Sequence, residues 1–322
     1  MSREKIALVT GAAGFVGSHL SERLVREGWT VRGIDCFSDY YDPTIKRANL
    51  AQLAADPRFE LIESDLREMD LDAVLQDVDV VWHLAAQAGV RSSWGQDFSI
   101  YTSVNILATQ RLLEACRGSS LSRLVYASSS SIYGEAERFP VRETDRAQPI
   151  SPYGVSKLAG EHLSSLYHRN YGLPTVALRY FTVYGPRQRP DMGFHRFFRA
   201  VLRGKPVTVY GDGKQTRDFT YVGDITEANL RAGSEGPDGA VYNVSGGSRV
   251  TVLEVLHSIE QVTGREAVRE FSPKQHGDPL DTGGDSSLAA EHLGYRPQTD
   301  LSTGLAAMGD WIAGAYEEGT IR

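Results

Sequence analysis

The sequence predicts an α/β fold, a doubly wound parallel sheet with a smaller C-terminal lobe, and three observations carry that expectation. Short apolar runs alternate with helix-period segments from residue 5 to about residue 180. A glycine-rich turn joins the first run to the first helix. Beyond residue 180, Gly185-Pro186, Arg189-Pro190, Gly211-Asp212-Gly213 and Gly246-Gly247 break the chain into short pieces. The 322 residues suffice for about two units, taken as a first domain over 1–180 and a lobe over 181–322, some strands and helices of which return to the first domain.

The runs that read as strands are Ile6 to Thr10, Val31 to Asp35, Phe59 to Ile62, Val78 to Leu84, Leu124 to Ser129 and Thr175 to Tyr180. Such uninterrupted apolar runs suit strands covered on both faces, in a sheet of six or seven. Between them lie helical patterns at Phe15 to Glu27, Val104 to Arg117 and Pro152 to Tyr171, each followed by a glycine that can stop a helix: Gly28, Gly118 and Gly172. In the lobe, helix-period segments recur at Phe194 to Arg203, Thr226 to Ala232, Val252 to Thr263 and Leu301 to Tyr316.

Composition excludes several classes. Apolar residues make up 41% and charged residues 23%, as in folded water-soluble proteins. A net charge of −7 argues against a nucleic-acid partner. Cys36 and Cys116 are too few for a disulfide scaffold, and with no long apolar stretch a cytoplasmic location without membrane contact is expected. His83, His195 and His276 have no second ligand at metal spacing, so no metal is expected.

The turn Thr10-Gly11-Ala12-Ala13-Gly14-Phe15-Val16-Gly17 follows a strand and opens a helix. Gly11 permits the tight turn, Gly14 lets backbone approach a pyrophosphate, and Gly17 lets helix and strand pack. The helix start adds free N–H groups and partial positive charge. Its spacing is G-x-x-G-x-x-G, which by itself also describes an ordinary strand-to-helix turn. Asp35, ending the second strand, shifts the balance to a Rossmann-type site: its carboxylate would accept from an adenosine ribose and repel a 2′-phosphate, favouring NAD over NADP. Asp65 with Leu66 ends the third strand and can reach the adenine edge, or can simply cap a turn.

Tyr153 and Lys157 stand four residues apart near a helix start, after Ser151-Pro152 as cap and first helical position. A lysine ammonium beside a phenol would lower the phenol's pKa toward neutrality and make Tyr153 a general base. Such a pair is also common on helix surfaces. Upstream, the serine run Ser128 to Ser131 comes off a buried strand, at the end where parallel sheets bind ligands.

These features in this order resemble the extended short-chain dehydrogenase/reductases that modify nucleotide sugars, over essentially the whole chain. The resemblance implies Ser129, Tyr153 and Lys157 as the catalytic set. It implies NAD held by Gly11, Gly14, Phe15, Val16, Gly17, Asp35, Asp65, Leu66, Leu84, Ala85, Ala86, Tyr153, Lys157 and Tyr180. A 4,6-dehydratase carries an Asp-Glu pair where this chain has Ser130 and Ser131, so the residues suit epimerisation. Asp39-Tyr40-Tyr41-Asp42-Pro43 with Lys46-Arg47, Gln87 to Ser93 and Phe181 to Met192 resemble UDP-glucuronate 4-epimerases in particular.

By that resemblance Thr182 and Arg189 receive the sugar carboxylate, with Arg91, Ser129 and Ser130 near the sugar. Arg217 meets the diphosphate, Val209 and Tyr210 the uracil, and Asp278 the uridine ribose. Arg187 and Arg189 as exposed loop charges, and Arg217 with Asp218 as a surface ion pair, are the competing readings. Epimerases of UDP-glucose or UDP-N-acetylhexosamine, a UDP-glucuronate decarboxylase and a non-catalytic NAD-sensing protein remain alternatives. Helices with apolar residues on more than one side, at 104–117 and 152–171, suggest a homodimer.

Overall fold

The structure is a computed structural model and describes residues 4–273, 277 and 279–321. In chain order the strands are β1 (Ile6–Thr10), β2 (Thr30–Asp35), β3 (Phe59–Glu63), β4 (Val80–His83), β5 (Arg123–Ser129), β6 (Thr175–Tyr180), β7 (Thr182–Tyr184), β8 (Val207–Tyr210), β9 (Thr216–Tyr221), β10 (Val241–Val244), β11 (Arg249–Thr251) and β12 (Arg269–Ser272). The α-helices are α1 (Phe15–Arg26), α2 (Pro43–Asn49), α3 (Leu71–Val74), α4 (Phe98–Tyr101), α5 (Ala108–Arg117), α6 (Pro152–Tyr171), α7 (Gly193–Leu202), α8 (Val222–Ala232), α9 (Val252–Thr263), α10 (Ser287–Leu293) and α11 (Leu301–Glu317).

A seven-stranded sheet runs in the order β10-β6-β5-β4-β1-β2-β3, every neighbour parallel. Side chains along each strand alternate between two cores. Ala7, Val9, Trp82, Val125 and Leu178 face one layer, and Leu8, Val81, Leu124, Tyr126 and Ala177 the other. The chain order reverses between β1 and β4, opening a crevice at the strands' C-terminal ends.

The seventh strand lies outside the six runs read from the sequence. β10 pairs with β6 from Val241 opposite Ala177 to Val244 opposite Tyr180. Helix α8 brings it there: Ile225, Ala228 and Ala232 share a core layer with Leu20 and Leu24 of α1. α10 joins the same layer through Ala289 and Leu293, while α7, β8, α9 and α11 build a separate core from Phe194, Phe198, Val209, Leu256, Ile259, Leu305, Met308 and Ile312 among others.

Local chemistry explains the helix ends. Ser151 Oγ accepts from the Gly154 amide at 3.1 Å, Pro152 takes the first helical position, and Gly172 stops α6 at a left-handed φ of 70°. Gly118 ends α5 differently, at an ordinary φ of −88°. The helix expected over 104–117 is a π-helical stretch over Thr102–Leu107 running into α5. In that widened stretch Asn105 accepts from the Gln87 amide at 2.7 Å and donates to Gln87 O at 3.0 Å and Ser156 Oγ at 2.9 Å. Its amide thereby ties the stretch to the β4 loop and to α6, and a π turn at such a junction is a recurrent device near functional sites.

Candidate active site

A cleft of about 1120 Å³ opens at the C-terminal ends of β1, β2, β4, β5 and β6 and extends under the C-terminal lobe. Its floor is the glycine turn. Gly11 has φ 71°, and a Cβ there would lie 2.9 Å from the Ala85 amide nitrogen. A Cβ on Gly17 would lie 2.0 Å from the Gly11 carbonyl oxygen, so the turn and α1 pack at a distance only glycine allows. Thr10 Oγ1 accepts from the amides of Leu84 and Ala85, each at 3.1 Å, fastening the turn to the β4 loop. Phe15, Val16, Leu84, Ala85, Ala86, Leu66 and Tyr180 line the same space.

Asp35 closes one end. Its carboxylate accepts from the amides of Ala13 at 3.1 Å and Phe37 at 2.8 Å, and from Lys46 Nζ at 3.5 Å. Lys46, buried beneath the Tyr41 ring at 5.2 Å, is a partner the sequence analysis missed. Asp65 also lines the cleft, but Arg67 occupies much of its carboxylate through Nε and Nη2, at 2.6 to 3.1 Å. A close backbone cradle at an uncapped helix start, with a carboxylate beyond it, fits a dinucleotide with a free ribose hydroxyl pair.

The residues expected to react converge from two elements. β5 delivers Ser129 at its last residue, and the first two turns of α6 deliver Tyr153 and Lys157. Ser129 Oγ accepts from the Ser131 amide at 3.1 Å and, with Tyr153, lines the cleft. Lys157 is 4% exposed, with Nζ 4.6 Å from the centre of the Tyr126 ring.

The charges depart from the sequence expectation. Burial pushes the Tyr153 phenol above its usual range, while the Ser129 hydroxyl and the Arg189 guanidinium pull it down. Burial brings Lys157 down to about 7, with Glu161 opposing. The lysine sits deep against an aromatic ring, where water does not reach its charge, so burial favours its neutral form.

The substrate half is cationic. Arg91 stacks on the Tyr210 ring at 4.3 Å. Arg189 Nε and Nη2 each contact an oxygen of Asp191 at 3.0 Å, and its guanidinium carbon lies 6.0 Å from the Tyr40 ring centre. Arg217 donates to Thr216 O, Leu280 O and Pro279 O at 2.6 to 2.9 Å. Ser130, Thr182, Arg91, Arg189 and Arg217 all line the one cleft, whereas Asp278 and His276 lie outside the described residues.

One expectation needs correcting, and two competing readings fall away. Val209 is 1% exposed in the lobe's core, because strand alternation turns Thr208 and Tyr210 toward the cleft instead. Arg217 and Asp218 form no surface pair: buried Asp218 accepts from the amides of Gly246 at 2.9 Å and Gly284 at 3.2 Å. Arg187 is no exposed charge either, since it pairs with Glu22 at 2.6 Å. His83 is a core residue between the Thr10 and Thr109 hydroxyls, and buried His195 holds Gln188 O at 2.7 Å.

The sequence profile of the NAD dependent epimerase/dehydratase family matches residues 7–245. The chain belongs to that family. Among its relatives, an uncharacterized UDP-glucose epimerase, YtcB, of Bacillus subtilis is 46% identical over 96% of this chain and 98% of its own. UDP-glucuronate 4-epimerase 3 of Arabidopsis thaliana is 41% identical over 97% of this chain and 77% of its own. Among solved structures, UDP-glucuronic acid 4-epimerase from Bacillus cereus, in complex with UDP-glucuronic acid and NAD, is 45% identical. It covers 97% of this chain and 100% of its own, with a TM-score of 0.94. For an NAD dependent epimerase, a cleft joining a dinucleotide cradle to a row of arginines is a coherent arrangement, since both ligands carry diphosphates.

Proposed function

We propose that this chain is a UDP-glucuronate 4-epimerase, interconverting UDP-glucuronate and UDP-galacturonate through a 4-keto sugar. The observation that carries this is that Arg189, the cation suited to a uronate carboxylate, lines the same cleft as Ser129, Tyr153 and Lys157. The sequence likeness to UDP-glucuronate 4-epimerases over nearly the whole chain supports it. Bound NAD supplies the acceptor for the C4 hydride and later returns it.

The chain's own residues do the rest. Tyr153 takes the O4 proton, with Ser129 bridging phenol and sugar hydroxyl, and Lys157 supplies positive charge to the phenolate and a donor to the ribose. Gly11, Gly14 and Gly17 admit the pyrophosphate, and Asp35 accepts from the adenosine ribose. Arg217 and Arg91 hold the nucleotide half while the sugar turns, so that Tyr153 and Ser129 return the proton with the opposite face presented. Thr182, Ser130 and Arg189 hold the carboxylate. A 4-keto uronate is a β-keto acid and loses CO2 when the carboxylate bond aligns with the carbonyl π system, so a fixed carboxylate prevents decarboxylation.

Incubation of the purified protein with NAD and, separately, UDP-glucuronate and UDP-glucose tests this. UDP-galacturonate from the first substrate is the expected product. An unchanged uronate, a UDP-pentose as main product, or preferential turnover of UDP-glucose overturns it. We also propose a homodimer through α5 and α6, where Leu107, Val155, Leu166 and Tyr171 are exposed at 44 to 54%; a monomeric mass in solution refutes that. Two unpaired thiols suit a reducing compartment, and we place the enzyme in the cytoplasm. No helix among the described residues is long and apolar enough to cross a membrane.

A further inference from the structure

Beneath the reacting groups lies a buried charge network that the mechanism above does not use. Tyr153, Lys157 and Glu161 follow one another at four-residue steps along α6 and so share a face. Glu161 is 3% exposed. Its Oε2 accepts from Ser128 Oγ at 2.6 Å and Arg179 Nε at 3.0 Å, and its Oε1 accepts from Arg179 Nη2 at 2.7 Å. Ser128 immediately precedes Ser129, and Arg179 belongs to β6. One carboxylate therefore ties together the strand end that bears Ser129, the helix that bears Tyr153 and Lys157, and the neighbouring strand.

We propose that Glu161 is a positioning residue for the reaction: it keeps the Lys157 ammonium charged inside the protein and locks Ser129 in register with Tyr153. An ammonium at 4% exposure keeps its proton only with a counter-charge, because burial alone favours the neutral amine. The groups facing Lys157 leave this task to Glu161. From β4 comes His83, neutral in its core site, and from β5 the Tyr126 ring; the cation Arg179 of β6 is paired with Glu161, and Tyr153 stands four residues earlier on α6. Burial drives the lysine toward about 7 and Glu161 is the charge that opposes it. Arg179 is not redundant. Its side-on grip holds the carboxylate in place, and Tyr133 Oη, which accepts from Arg179 Nη1 at 2.6 Å and donates to Asn243 Oδ1 at 2.7 Å, holds the arginine.

The test uses the NAD-loaded protein and the Glu161→Gln variant, which keeps side-chain length and an acceptor for Ser128 while removing the charge. The chain has six lysines, few enough to assign the Lys157 Cε resonance in lysine-labelled protein by comparison with Lys157→Met. Glu161→Gln is expected to lower the titration midpoint of that resonance by about one pH unit, tenfold in the protonation equilibrium. The alkaline limb of kcat should move down by the same amount, with KM changed less than threefold. An unmoved resonance in the folded variant overturns the assignment. If the Gln variant does not fold, Glu161→Asp carries the test: it keeps the charge but withdraws it by one methylene, so a smaller shift in the same direction is expected and no shift refutes the proposal. The proposal rests on Tyr153 and Lys157 as the reacting pair, yet the resonance needs no substrate. A shifted lysine in a protein that leaves UDP-glucuronate unchanged would sink the epimerase assignment and leave this one standing.

Discussion

Asp191 grips Arg189 along one edge of its guanidinium, Nε to Oδ1 and Nη2 to Oδ2, both at 3.0 Å. A guanidinium has a second bidentate edge, formed by Nη1 and Nη2, and fixing the first edge fixes the direction of the second. Tyr40 Oη, 3.4 Å from Asp191 Oδ2 and 3.3 Å from Ser92 Oγ, adds a polar contact between this pair and the β2 and β4 loops. A uronate carboxylate meeting the remaining edge would be held in one plane. Arg189→Ala should therefore raise KM for UDP-glucuronate by about 10- to 100-fold, as expected for loss of a charged hydrogen bond worth about 1.5–3 kcal/mol. It should also release a UDP-pentose, as the freed carboxylate swings into alignment with the C4 carbonyl. Product analysis by anion-exchange chromatography reads both effects; clean epimer without pentose removes the carboxylate-clamp argument.

How much of this was legible in the sequence depends on the range of the interaction. β1 and β6 are buried on both faces, so they appear as apolar runs whose ends match the structure. The cap at Ser151 and the stop at Gly172 are local chemistry, and α6 follows from them to the residue. β10 is a four-residue strand inside a lobe of loops, and nothing in its own composition says that it crosses back to β6. The counter-charges escaped for the same reason. Glu161 meets Arg179 and Ser128 across 18 and 33 residues, and such pairings leave no periodic trace. The displacement of Val209 into the core was decidable from strand alternation once Tyr210 was assigned to the cleft.

Tyr153→Phe removes the proton acceptor while keeping the ring that meets Tyr101 edge-on at 6.3 Å. The fold and the dinucleotide cradle do not depend on that hydroxyl. Turnover of UDP-glucuronate should fall by about 10²- to 10⁴-fold, the usual worth of a positioned general base. Affinity for NAD, measured by calorimetry, should stay within a few-fold. A variant retaining a tenth of the wild-type kcat would show that another group takes the O4 proton.

Gly17 and Gly14 offer a graded test of the cradle. A Cβ on Gly17 would meet Gly11 O at 2.0 Å, Gly11 C at 2.8 Å and the Ala12 Cα at 3.0 Å, all backbone, so α1 must move away from the turn. A Cβ on Gly14 meets only Gly11 O, at 3.1 Å, a contact that a few tenths of an ångström relieve. Gly17→Ala should destabilise the protein by about 1–3 kcal/mol, the usual cost of overpacking, and weaken NAD binding. Gly14→Ala should be milder in urea unfolding. Equal stability losses in the two variants would mean that the Gly17 contact is not the constraint on the turn.

His83 sets an acid limit on the fold. Both ring nitrogens meet threonine hydroxyls, Nδ1 to Thr10 Oγ1 at 2.8 Å and Nε2 to Thr109 Oγ1 at 2.9 Å, and burial followed by the Lys157 charge pushes the imidazole down to about 3. His19, held by burial and Arg187, is down at about 4. A base depressed in the folded state binds its proton first when unfolded. The stability it contributes is present above the unfolded pKa of about 6.5 and is lost as pH falls from there toward 3, at about 1.4 kcal/mol per pH unit. By pH 4.5, His83 alone should cost the fold roughly 3 kcal/mol. His83→Gln keeps a donor and an acceptor between the two hydroxyls but cannot take up a proton. Its urea-unfolding free energy should start below the wild-type value at pH 7 and fall less steeply between pH 6.5 and 4.5, and parallel slopes for the two proteins would show that His83 is not the group that titrates.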